Sequence, residues 1–429
     1  MTASPLAGST GPTSGPEGSE GGEPITVEQL REHVLATVRP LPAHAQPLME
    51  ALGLPVAEDV HSTLALPGFD NSAMDGYAVV QRDVATASDE SPVHLPVIGE
   101  IGAGQARLTQ LAEGTAAKIM TGAPVPAGAD AIVPYEWTDR GEASVWISKA
   151  PEPGQHVRLR GDDIAEGDLL VEAGTVLTPR HLGLLAAVGR DRVRCRQRPR
   201  VVVLSTGSEL RDAGQELGHD SIYDGNSFLL AAAARAAGAI AYRVGIVPDD
   251  PARFTEALAD QLVRADVVVT SGGVSMGDFD VVKEALRDLD TMWFGPVAMQ
   301  PGKPQGFGTI GEDATPIFTL PGNPVSSYLS FEVFVLPALR RMMGLTPEVR
   351  PSVRARVTHS VSSPPGRRQF LRGSYDEDAG TAYVTPIGGS GSHLLGNLAI
   401  SDALIVVPED TTALEAGETV EVIRMDVPF

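Results

Sequence analysis

The 429-residue chain is short of basic residues, aromatics, cysteine and long apolar runs. It has 33 Lys and Arg against 55 Asp and Glu, a formal charge of −22, which disfavours DNA, RNA or an anionic membrane surface as its partner. Any anionic ligand must therefore be held by local features. Aromatic residues make up only 5%, and none is interleaved with the arginines at positions 190–200, so that basic stretch lacks the stacking groups of a nucleic-acid site. The single cysteine, Cys195, cannot form an internal disulfide; it reads as a packed small apolar residue in a reducing compartment. No apolar run approaches the roughly 20 residues that span a bilayer. The N-terminus also lacks a basic start followed by an apolar core. A cytoplasmic protein with no membrane partner is the expectation.

The length suits roughly two to four domains. Residues 1–23 are almost entirely Gly, Ser, Thr, Pro, Ala and Glu, too poor in large apolar groups to offset the entropy of ordering, and read as a disordered tail. Thr26 with Gln29 three residues on is a capping-box pattern ahead of Leu30, Val34, Leu35 and Val38, which predicts an amphipathic helix. From Leu64 short β-type runs alternate with Gly and Pro, the texture of a separate β module. Two of its turns, around Asp75 in DNSAMDGY and around Thr121 in MTGAP, place polar groups beside a glycine; each also reads as a plain turn. Helix signals return at 179–189, with Pro179 in the first turn and Gly189 at the end, and this helix is expected to pack back on the first. Arg190, Arg192, Arg194, Arg196, Arg198 and Arg200 alternate with other residues; in one strand they would share a face, solvated or paired with acids.

An α/β alternation follows. Strands at 201–204, 242–247 and 267–269 alternate with helices at 227–237 and 251–263, which predicts a parallel sheet covered on both faces. Ligands bind such sheets at the carboxyl ends of the strands. Thr206-Gly207 and Ser271-Gly272-Gly273 fall at that edge, so Glu209, Asp249, Asp278 and Asp280 can converge there although far apart in sequence. Glycine turns let backbone N–H groups approach a phosphate. Carboxylates beside such a pocket imply a divalent cation between them and the phosphate, unless Asp278 or Asp280 merely caps the next helix. The loop 299–304 is stiffened by Pro301 and Pro304 and presents Lys303. Gly322-Asn323-Pro324 opens another helix, a second anion-ready start. From Pro351 the pattern is β again, which predicts a small C-terminal barrel or sandwich.

The motifs PGFDNSAMDGYA, MTGAPVP, RGDDI, LSTGSEL, PDDP, TSGGVSMGDFD, PGKP, LPGNPVSS and FLRG…GSGSH occur in one order. From about Pro24 to the C-terminus the chain thereby resembles the molybdopterin molybdenumtransferases, the bacterial MoeA and gephyrin E-domain family. A single such motif is weak; the ordered set is specific. The resemblance implies insertion of molybdate into molybdopterin adenylate with release of AMP, a requirement for Mg²⁺, and a homodimer whose active site is shared between subunits. It also implies a transient contact with the molybdopterin adenylyltransferase. The implied architecture is multidomain α/β plus β. Segments 24–62 and 157–197 form a discontinuous helical domain, 63–156 an inserted β domain, 198–346 a doubly wound α/β domain like the molybdopterin adenylyltransferases, and 347–429 a C-terminal β-barrel.

Carried over motif by motif, the resemblance assigns catalysis to Asp75, Thr121, Asp163, Glu209, Asp280 and Lys303, and metal to Glu209, Asp249 and Asp280. Substrate binding falls to Ser271, Gly272, Gly273, Ser275, Pro301, Gly302, Gly322, Asn323, Arg372 and Ser392. Lys303, Arg372 and Ser392 suit an oxyanion, since arginine offers a planar fork and serine a donor. Asp280 is expected as a metal ligand and Asp278 as the helix cap. Two departures stand out: Gln300, where bacterial relatives often carry lysine, and Ser208, where they carry an acid. The alternatives are an ATP-dependent molybdopterin adenylyltransferase, which the α/β segment alone would suit, and a non-catalytic scaffold. Molybdate and tungstate share charge and shape, so the sequence does not separate them.

Overall fold

The computed structural model describes residues 6, 15–16, 23–104, 109–273 and 280–429. They fall into two compact units: Met1–Ala45, Gly53–Ala57 and Arg194–Phe429 form one, Gln46–Leu52 and Glu58–Val193 the other.

The larger unit is built on a six-stranded sheet in the order Ile240–Val247, Arg200–Thr206, Val267–Ser271, Thr315–Leu320, Pro304–Ile310, Met292–Pro296. Val201, Val202, Val203 and Leu204 are all fully buried, as are Val267, Val268 and Val269. Such unbroken apolar runs mark central strands covered on both faces. The first four strands are parallel; Pro304–Ile310 runs antiparallel to them, and Met292–Pro296, antiparallel to Pro304–Ile310, points the same way as the four. The parallel pairing expected of the strands at 201–204, 242–247 and 267–269 is present, and an antiparallel strand joins at the other edge. Thr315–Leu320 follows Pro304–Ile310 after a four-residue turn, too short for the helical crossover that parallel neighbours need.

The N-terminal helix Val27–Thr37 carries the expected capping box: Gln29 N–H donates to Thr26 Oγ1 (3.1 Å) and Thr26 N–H to Gln29 Oε1 (2.7 Å). Its Val27, Leu30 and Val34 face joins the buried cluster of Phe334, Val335, Leu339 and Met342. It therefore packs within the α/β unit, whereas the helix Pro179–Ala187, expected as its neighbour, belongs to the other unit.

The five strands Arg368–Asp378, Thr381–Pro386, Ser352–Val357, Thr419–Arg424 and Ala403–Val407 close into a barrel, because the last pairs with both Thr419–Arg424 and Arg368–Asp378. Alternation places Ala403, Ile405 and Val407 inside it. Leu404 and Val406 join the α/β core instead.

Of the segment read as a disordered tail, Leu6 is described and is buried in the apolar cluster with Phe254, Leu258, Ile310 and Ile317. Its carbonyl accepts the Gly311 N–H at 3.2 Å. This departs from the expectation at that residue: Leu6 and Met1 are the only large apolar side chains in residues 1–23, and burying one contributes about 1.5–3 kcal/mol.

The second unit holds a five-stranded sheet in the order Ala131–Pro134, Gly76–Val79, Ala116–Ile119, Val93–Ile101, Ser144–Ile147. Both faces are covered: Tyr77 and Val79 enter one apolar cluster, Ala78 and Val80 the other. Val60–His61 pairs antiparallel with Leu169–Val171, which brings two separated segments together.

The six alternating arginines do not share a strand face. The strand Arg192–Arg196 ends before Pro199, and the next begins at Arg200. Arg190, Arg194, Arg196 and Arg198 donate to the carbonyls of His61, Ala43, Leu41 and Gly238 (2.8–3.3 Å). Arg200 forms a bidentate pair with an acid, Asp266. Cys195 is buried, which pushes its thiol up to about 11, as suits a packing residue.

Candidate active site

Strand register fixes the geometry of the α/β edge. Ser205 pairs with Ser271 and Ser271 with Leu320, so Thr206-Gly207, Gly272-Gly273 and Pro321-Gly322 leave the sheet side by side. Gly272 (φ +89°) and Gly273 (φ +75°) adopt the left-handed conformation that glycine tolerates best. A Cβ on Gly272 would stand 2.8 Å from the Thr206 carbonyl, and one on Gly322 would stand 3.6 Å from the Gly272 Cα. The three turns form one wall of a cleft of about 190 Å³ that includes Thr206, Glu209, Ser271, Gly272 and Gly322. Thr206 Oγ1 is buried in this wall without a hydrogen-bond partner.

The three expected metal carboxylates lie around this edge, each engaged locally. Glu209 folds back on its own turn, its carboxylate 2.7 Å from where a Gly207 Cβ would stand. Asp249 accepts the Ser208 N–H at 2.8 Å, and Ser208 Oγ accepts the Asp249 N–H at 3.4 Å. Ser208, one of the two departures, thus fastens the first glycine turn to the loop after Ile240–Val247. Asp280 is the N-cap of the helix Val281–Leu286, accepting the Lys283 N–H at 3.4 Å. The capping expected of Asp278 is performed by Asp280. Asp278 and Ser275 lie outside the described residues. Among the described residues no group of three or more His, Cys, Asp or Glu is arranged to hold a metal ion, so the expected triad is not a preformed cage.

The loop bearing Lys303 reaches the same edge, because Gly306 pairs with Thr319 and places Pro304 beside Pro321. Gln305 Nε2 ties this loop down, donating to the Gly302 carbonyl (2.7 Å) and to Ser330 Oγ (2.6 Å). Pro301 and Gly302 are buried beneath it. Arg372 is only 2% exposed. It donates to the carbonyls of Gly389 and Gly391 and so holds the loop that carries Ser392. Its Nε–H has no partner, and burial lowers its pKa. The Ser392 carbonyl accepts the Val325 N–H at 3.0 Å. This loop therefore takes one of the first backbone donors of the helix opened by Asn323 and Pro324.

In the second unit Asp75 and Thr121 meet. Asp75 Oδ1 accepts both the backbone N–H (2.7 Å) and the hydroxyl (2.8 Å) of Thr121. These bonds hold its carboxyl below the usual range, the backbone bond contributing most. Asp163 is exposed and packs by its N–H on the Leu66 carbonyl (3.0 Å), not against that pair.

Sequence reasoning passed over Asp224 and Asn226, which line the cleft. The turn signal of YDGNS was visible, yet nothing local distinguishes these polar residues from ordinary helix-starting ones. A larger cavity of about 470 Å³ lies between Val27–Thr37 and the barrel and contains none of the sequence-derived site residues.

The fold and the edge define a multidomain protein organised around a molybdopterin-type α/β domain. Residues 202–341 match the family described as a probable molybdopterin binding domain, residues 25–189 the MoeA N-terminal region (domain I and II), and residues 354–425 the MoeA C-terminal region (domain IV). Molybdopterin molybdenumtransferase 2 of Mycobacterium tuberculosis is 47% identical over 382 residues, 88% of this chain and 93% of the relative. The molybdopterin molybdenumtransferase of Haemophilus influenzae is 36% identical over 403 residues, covering 93% and 98%. The crystal structure of the molybdopterin biosynthesis MoeA protein from Pyrococcus horikosii superposes with a TM-score of 0.79 at 34% identity, over 94% of this chain and 99% of that one. The chain belongs to the MoeA family of molybdopterin molybdenumtransferases.

Proposed function

We propose that this protein inserts molybdate into adenylylated molybdopterin and releases AMP, the last step of molybdenum cofactor biosynthesis. The observation that carries the reading is the 47% identity to a named molybdopterin molybdenumtransferase across 88% of the chain. The site chemistry agrees with it. Three glycine turns offer a phosphate cradle, and a buried arginine with an unused donor stands beside the Ser392 loop. Lys303 supplies a cation at the same sheet edge.

Mg²⁺ is proposed to enter with the substrate. Among the described residues the carboxylates form no three-ligand group, and Mg²⁺ commonly binds through one or two carboxylates plus substrate phosphates. Glu209, Asp249 and Asp280 are the residues placed to contribute, and the ion would neutralise charge on the pyrophosphate bridge. Lys303, Arg372 and Ser392 are proposed to take the oxyanion. Asp75, Thr121 and Asp163 are assigned to the same site through a homodimer, each subunit lending its β unit to the other. A transient contact with the adenylyltransferase would hand over the adenylylated intermediate. No helix among the described residues is long and apolar enough to cross a membrane, which fits work in the cytoplasm.

The test is turnover of purified protein with molybdopterin adenylate, Mg²⁺ and either molybdate or tungstate. Oxyanion-dependent AMP release is expected. Pyrophosphate release from ATP and molybdopterin would instead make the chain an adenylyltransferase. Two arms mixing Asp75→Asn with Asp280→Asn protein test the shared site: recovery of activity is expected, and its absence in a proven mixed dimer contradicts sharing.

A further inference from the structure

One short segment, Tyr223-Asp224-Gly225-Asn226-Ser227, touches all three glycine turns, and nothing assigned above uses it. Asp224 is 2% exposed. Its Oδ1 accepts Ser205 Oγ at 3.0 Å, at the end of the strand that leads into Thr206-Gly207, and the Ser227 N–H at 3.0 Å. Its Oδ2 accepts Ser227 Oγ at 2.5 Å and lies 3.8 Å from the Arg243 guanidinium. Arg243 also donates to Ser227 Oγ (2.7 Å) and stacks on Phe228 at 3.5 Å from the ring centroid. Asp224 therefore anchors the start of the helix Asn226–Ala236 to the first turn.

From that fixed helix start Asn226 reaches the other two turns. Its Nδ2 donates to Ser271 Oγ at 2.8 Å and to the Gly322 carbonyl at 2.6 Å. Ser271 Oγ lies 3.3 Å from Ser327 Oγ, and the Ser327 hydroxyl donates to the Pro321 carbonyl, which closes a buried ring of bonds beneath the cleft. One planar –NH₂ group carries two hydrogens at a fixed angle, so it sets the separation of its two acceptors. Serine and threonine have one side-chain donor, and ionised aspartate has none.

We propose that Asn226 is a positioning residue for the phosphate-bearing end of the substrate: its carboxamide sets the spacing between the Ser271-Gly272 turn and the Gly322 turn. It acts through the turns, which present their backbone to the ligand. The unpartnered Thr206 Oγ1 lies on the other side of the same turn, 3.2 Å from where a Gly272 Cβ would stand. The inference rests on the reading of the cleft as an adenylate site.

The test compares the full-length protein with Asn226→Ala and Asn226→Asp, by AMP calorimetry, by steady-state turnover of molybdopterin adenylate, and by thermal melting. Asn226→Asp preserves shape at a helix start where aspartate is tolerated, so it guards against a variant that merely misfolds. Both variants are expected to bind AMP about tenfold more weakly or worse, with KM raised in step, kcat within about threefold and Tm near that of the parent. Unchanged AMP affinity and KM in both variants would overturn the proposal, as would a fall in kcat at constant KM. If the parent protein itself binds no AMP, the adenylate reading fails and the proposal falls with it. Binding by the parent that the variants match sinks the proposal alone.

Discussion

Thr121 gives Asp75 two donors on a single oxygen, the backbone N–H at 2.7 Å and the hydroxyl at 2.8 Å. Residues 46 apart in sequence thereby fix one carboxylate at the tip of two turns. Thr121→Val keeps the size and the backbone donor and removes the hydroxyl. Because hydrogen bonds to the charged form lower a carboxyl pKa, the Asp75 value should rise part of the way back to the ordinary one, as read by carbon-detected NMR titration. AMP release should drop about tenfold or more with Tm unchanged. Full activity in this variant would remove the pair from the site.

Asp280 separates two roles that an alanine substitution confounds. As N-cap of Val281–Leu286 it should be replaceable by asparagine at little cost, whereas alanine should lose about 1 kcal/mol. If its charge serves the substrate phosphates, both variants lose turnover although only Asp280→Ala loses stability. Urea unfolding beside the AMP-release assay distinguishes these outcomes. An active Asp280→Asn would reduce the residue to a cap.

Glu332 and Arg350 form a buried pair at 3.2 Å, with side chains 8% and 13% exposed. Burial outweighs the arginine and raises the Glu332 pKa. A carboxyl with a raised folded-state pKa binds its proton more tightly when folded. Its contribution to stability is therefore complete below the ordinary glutamate value of about 4.3 and is lost as pH rises through the folded value. Arg350→Met should raise that value further and cost about 3–5 kcal/mol at neutral pH, less at pH near 5. Adding Glu332→Gln should recover most of the loss. Urea melts of the two variants at both pH values check this; a pH-independent cost would show that the ion pair is not the source.

Much of this arrangement is legible in the sequence because it depends on local chemistry. The Thr26–Gln29 capping box, Pro179 and Pro251 at helix starts, and the valine runs of the central strands at 201–203 and 267–269 each act within a few residues. The ordered motifs reveal the family for the same reason. What escaped depends on long-range partners. The fate of the alternating arginines is decided by carbonyls up to 155 residues away. Asn226 matters because of Ser271 and Gly322, 45 and 96 residues on. The burial of Leu6 needed a slot that no property of the surrounding Gly- and Ser-rich segment announces.

The most direct measurement follows AMP by chromatography in a reaction of purified protein, molybdopterin adenylate and Mg²⁺, with and without molybdate. The account predicts AMP release that requires the oxyanion, produces a cofactor able to activate a molybdenum-free apoenzyme, and is abolished by Asp280→Asn at unchanged Tm. AMP release that ignores molybdate, or no release from folded protein, would contradict it.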